Sequence, residues 1–154
     1  MIEHGSSTSK SAVPSDLLCL HLAILCVSYH FLSADMAASL GLTHDQVRQL
    51  AHQTFCACHA VLLMSDFLNN HTIRHLQAVV VISMYQYAVG EQADSHWSLV
   101  GAALKCAQNL GLPMLVDEHR KAAGDWPRLW NTLEKREMGR RVWWNLVSTT
   151  GRVV

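Results

Sequence analysis

Ten histidines and five cysteines make metal or thiol chemistry the first question this sequence raises. His52, Cys56 and His59 fall at i, i+4 and i+7, a spacing that puts all three on one face of a helix. Imidazole and thiolate are good zinc ligands, but three on one helix still need a fourth group and supporting hydrogen bonds. The competing expectation places Cys56 in the core with the two histidines at its edge, and it is the stronger of the two. His71 and His75 also share a helical spacing, without the glutamate that a metalloprotease helix carries between its histidines. No Ser or Cys lies in a nucleophile-elbow setting and no Gly-rich turn suits a phosphate. The expectation is therefore a chain that is not an enzyme, with no catalytic residue and no cofactor of its own. A metal- or thiol-dependent enzyme on His52, Cys56 and His59 stays as the weaker alternative.

The elements that would position these residues read as helices throughout. Half of the sequence is hydrophobic and 16% is charged, enough apolar content for a sizeable core. Gly5–Ser11 is small and polar and reads as a disordered lead-in, so that residues 1–14 precede the folded part. Ser15 then stands where a helix cap belongs, and a first helix is expected to about Leu32. Its apolar run, Leu17 to Leu32, is shorter than the roughly 20 residues of a bilayer span and contains His21, Ser28 and His30. A buried core helix is expected there, and no membrane partner.

Gly41 closes a short segment, and Thr43 with Gln46 forms a capping box for a second helix reaching about Leu68. Thr72 opens a third, apolar almost all round from Leu76 to Tyr87 and ended by Gly90. The β-branched run Val79–Ile82 would suit a strand, but its flanks favour helix. A fourth helix runs from about Asp94 to Leu110, stopped by Gly111 with Pro113 just beyond. After a long polar connection, a fifth begins near Asn131, with Glu134 at capping-box spacing, and runs into Trp143-Trp144. The fold class is all-α, an irregular bundle of about five helices.

Charge sets limits on partners. Formal net charge is zero, which argues against a broad nucleic-acid footprint. The basic cluster Lys135, Arg136, Arg140 and Arg141 is expected to be a solvated helix face, with Glu137 reaching Arg141 at i+4 and Arg140 at i+3. Met138, Val142 and Leu146 form the opposite, core-seeking stripe. Adjacent helical residues point about 100° apart, so Trp143 and Trp144 divide between the core and a neighbouring helix or partner. The cysteines, odd in number and irregularly spaced, fit buried thiols in a reducing compartment.

Three stretches carry a resemblance. Ala102 to Leu112, with Ala103, Ala107, Gln108, Leu110, Gly111 and Leu112, resembles the Ala-x-x-x-Ala-Gln-x-Leu-Gly-Leu helix end of the regulatory middle region of fungal zinc-cluster transcription factors. Arg140-Arg141-Val142-Trp143-Trp144-Asn145-Leu146 resembles that family's Arg-Arg-x-Trp-Trp-x-Leu segment. Leu76-Gln77-Ala78 is similar to the helix that precedes both. The resemblance spans residues 72–147 and implies a nuclear regulator that modulates transcription through protein partners or small-molecule effectors. It also implies DNA and zinc binding through a six-cysteine cluster that these five cysteines cannot supply. The chain departs from the pattern at Pro113, where the family has His, and at Thr150, near where it has Asp. Because the family domain continues for several helices, the expectation is its front portion only, residues 15–154, truncated on the C-terminal side. Such a piece is expected to expose apolar surface and self-associate. The alternative class is a helical interaction scaffold without regulatory activity.

Overall fold

A computed structural model describes residues 13–90, 93–117 and 126–151. Among them lie six α-helices, two 3-10 turns and no strand, an all-α fold. The lead-in expected over residues 1–14 falls outside this description apart from Val13 and Pro14, and so does most of the polar connection.

Helix α1, Ser15–His30, presents Cys19, Ala23 and Cys26 at helical spacing, all three fully buried. Small side chains along one line let a neighbouring helix approach closely, and α3, His44–Met64, does so. Its Ala51, Phe55, Cys58 and Leu62 complete that seam. The Cys58 thiol donates to the Cys19 carbonyl at 3.4 Å, across the interface. Helix α2, Ala34–Ser39, is a short bridge between them, and Gly41 turns the chain with a left-handed φ of 70°. Helix α4, Ile73–Val89, lies against α1 on one side and α5, Ala93–Asn109, on the other. Leu76, Ala78, Val79 and Ile82 are inaccessible to solvent, so the β-branched run is a central helix. Asp16 joins the starts of α1 and α4 by accepting from the Thr72 hydroxyl at 3.0 Å and the Arg74 guanidinium at 3.5 Å. Burial disfavours its charge. The Thr72 and Leu17 hydrogen bonds, with Arg74 and His75 nearby, outweigh that and hold its carboxyl below the usual value. Helix α6, Leu133–Thr150, packs on α5, α4 and the 3-10 turn Leu112–Leu115.

Several local expectations are corrected. Ser15 is already helical, Pro14 occupies the cap position, and no side chain caps α1. Helix α3 stops at Met64, four residues early, with Asp66 in the left-handed region at φ 51°. The cap of α6 is Thr132, whose hydroxyl accepts from the Lys135 amide at 3.4 Å; the Asn131 side chain accepts instead from the Lys135 ammonium at 3.0 Å. His71 precedes α4, its ring facing the Leu68 carbonyl, so it shares no helix face with His75. The apolar run of α1 is buried on one side only, with Leu17, Leu18 and Ile24 exposed. No helix among the described residues is long and apolar enough to cross a membrane.

Candidate functional site

The helix end at Leu110 and the helix carrying the Trp pair meet in one interlocked corner. Ala103 and Ala107 of α5 are fully buried, which brings that helix close to its neighbours. Gln108 faces outward, its carbonyl oxygen accepting from Lys105 at 3.2 Å. Gly111 then adopts φ 77°, where a Cβ would be strained and would stand 2.7 Å from Met114 Cε. That turn sends Leu112 and Leu115 inward, both fully buried, with Pro113 accommodated in the 3-10 turn between them. Leu110 packs half-buried against the same core.

Trp130 closes the corner. Its ring is 2% exposed, and its indole N–H donates to the Leu110 carbonyl at 2.9 Å, satisfying an acceptor left free at the end of α5. Gly139 of α6 sits directly against Leu115 and Trp130: a Cβ on it would lie 2.9 Å from Trp130 Cζ3. The next residue, Arg140, donates to the Leu115 carbonyl at 3.4 Å and to Glu137 at 3.1 Å. Glu137 also accepts from the exposed Arg141 at 2.9 Å. These two arginine hydrogen bonds, foremost that from Arg141, hold the Glu137 carboxyl below its ordinary range. Arg136 reaches back to the Trp130 carbonyl at 3.1 Å and lies over the Trp126 ring, 5.0 Å from its centroid. The arginines thus act as struts across the corner as well as solvated charges.

Beyond the corner, Val142 and Leu146 of the expected stripe are buried, while Met138 is only partly so. Trp143 is half-buried against the core, while Trp144 is 52% exposed, so the pair divides as two adjacent helical residues must. Leu76 is wholly buried, and Gln77 lines a shallow groove with Glu137, Met138 and Arg141.

The three candidate metal ligands do not converge. Cys56 is exposed, with its sulfur 3.6 Å from His52 Nε2, which corrects its expected place in the core; Cys58, two residues on, holds that place. His59 turns toward Phe55, ring centroids 4.5 Å apart, and burial lowers its pKa. No group of three or more His, Cys, Asp or Glu among the described residues is disposed to hold a metal ion. Nor do the thiols suit a zinc cluster. Cys19, Cys26, Cys58 and Cys106 are buried in the helix packing, and burial pushes the Cys26 thiol up to about 11, far from the thiolate that zinc requires.

Trp130, Leu115 and Gly139 escape a sequence reading because their partners lie on other elements, well outside the reach of helical spacing. Gly139 alone left a trace, as a glycine inside an otherwise uninterrupted helix.

An all-helical domain whose recognisable residues meet in a packed corner is the class of protein the fold and site define. The chain belongs to the fungal specific transcription factor domain family, whose model matches residues 3–148. That match extends well upstream of the stretches carrying the resemblance, into α1 and α3. Searches of curated proteins and of solved structures return no significant match.

Proposed function

We propose that this chain is a regulatory region that modulates DNA-templated transcription in the nucleus, by packing and by contact with an effector or protein partner, without a bond-making step. The observation that carries the reading is the corner itself. The two family stretches, separated in sequence by the chain between Leu112 and Arg140, meet there through Trp130, Gly139 and Arg140. Gly111, Leu112 and Arg140, which carry part of the resemblance, have packing roles in that corner, and this supports the reading. DNA contact would belong to a zinc cluster, for which these cysteines do not fit.

A fusion to a heterologous DNA-binding domain tests this in a fungal host carrying a matching reporter. The fused chain is expected to raise or lower reporter output relative to the DNA-binding domain alone. Gly139→Trp, which forces the corner apart, is expected to cancel that difference. A fusion that accumulates to normal levels, folds, and leaves the reporter unchanged would overturn the regulatory reading.

A further inference from the structure

Where α4, α5 and α6 converge, an open cleft of about 480 Å³ lies between Val80, Met84 and Tyr87 of α4, His96 and Trp97 of α5, and Asn145 of α6. Its volume is within the range of small-molecule pockets, about 300–1,000 Å³. None of the described side chains lining it belongs to Asp, Glu, Lys or Arg. An ionic ligand would therefore lose its hydration without gaining a counter-charge.

His96 lines this cleft, yet only 5% of the residue is exposed. Its Nδ1 meets Gln86 Oε1 at 3.3 Å. With the amide oxygen as acceptor, Nδ1 carries the proton, and Nε2 of the neutral ring is left as an acceptor. Burial lowers the His96 pKa and so favours that neutral ring. Nε2 has no hydrogen-bond partner among the described residues, and neither does the amide nitrogen of the buried Gln86. Buried polar atoms are almost always satisfied by protein, water or ligand. The cleft is mainly apolar and aromatic-walled, with Ser83, Asn145, Ser148 and Thr149 also in its lining. An unsatisfied acceptor on a lining residue is how ligand pockets combine affinity with orientation.

We propose that this cleft binds a small, uncharged aromatic molecule carrying one hydroxyl, its ring against Trp97, Tyr87 and Met84 and its O–H donated to His96 Nε2. The proposal rests on the regulatory reading for its purpose and not for its chemistry. Binding is read on the purified chain, whereas regulation is read by the reporter, so either can fail alone.

β-Naphthol and its methyl ether share one apolar body, and only the first can donate a hydrogen bond. Calorimetric titration of the full chain is expected to show saturable one-to-one binding of β-naphthol. The methyl ether should bind about tenfold more weakly, the worth of one buried hydrogen bond. His96→Leu should make the two probes bind alike. Met84→Trp, at an exposed position of the cleft wall, should block both while leaving the helical circular-dichroism signal intact. Equal affinity of the wild type for the two probes, or no saturable binding of β-naphthol at millimolar concentration, overturns the proposal. So does β-naphthol binding that Met84→Trp leaves unchanged. Because the wild-type comparison and Met84→Trp do not depend on the leucine variant, misfolding of His96→Leu leaves the test decisive.

Discussion

His75 shows how much a single side chain can be asked to do. It is 2% exposed, and its Nδ1 accepts from the Thr72 amide at 3.2 Å, taking the place that Glu or Gln fills in an ordinary capping box. Nε2 meets the Ser65 hydroxyl at 3.3 Å. An Nδ1 that accepts must carry no proton, so this cap exists only with the neutral ring. Burial, against the pull of Asp16, lowers its pKa, and burial likewise lowers those of His59 and His96. The sign of the pH effect follows directly. Below the unfolded value of about 6.5, the unfolded chain binds protons that the folded chain refuses, so stability is full above that pH and is lost as pH falls through it toward the lowered folded values. The melting temperature is expected to fall steadily from pH 7.5 to 5.5. His75→Gln, which keeps the cap without a titrating group, should flatten that slope. A slope identical in wild type and His75→Gln would show that the cap does not titrate. The Thr43–Gln46 box was legible in the sequence because both partners are residue types known for it; the Thr72–His75 box was not, because an imidazole in that role leaves no composition signal.

At the scale of elements, termini written in local chemistry were readable and those set by tertiary contact were not. Gly90 and Gly111 end α4 and α5 where a left-handed residue is required, and both stand out in the sequence. The early stop of α3 at Met64 has no such mark: Leu63, Met64 and Leu68 look like a continuing apolar pattern, yet all three are exposed. The corner between α5 and α6 depends on a position where helix propensity and packing disagree. Gly139→Ala would favour a helix by up to about 1 kcal/mol in isolation. Here the added methyl meets a Leu115 and a Trp130 that are both nearly inaccessible and have nowhere to move. Overpacking of that kind costs about 1–3 kcal/mol, so a net loss of about 1 kcal/mol is expected in urea unfolding. The same substitution at Gly101, where a Cβ meets nothing, should instead be neutral or stabilising. If the two variants behaved alike, the corner would not be the tight contact described.

For the molecule as a whole, the all-helical class and the family were legible from apolar periodicity and from three ordered stretches of sequence. The way those stretches interlock was not, since it arises from residues between them. One consequence concerns how such a chain can drift. The indole of Trp130 fastens to Leu110 across an interval of 20 residues, and Arg140 fastens to Leu115 across 25. The spacing between these anchor points is fixed by the contacts and owes nothing to the number of residues strung between them. Lengthening a closed loop carries an entropic charge that grows only logarithmically, about 0.6 kcal/mol for each doubling. Eight Gly/Ser residues inserted after Asp117 are therefore expected to leave the unfolding midpoint within a few degrees of wild type, while Trp130→Ala in the uninterrupted chain lowers it far more. Selection can then hold the fastening points constant and let the intervening text be rewritten, in length as well as in letters.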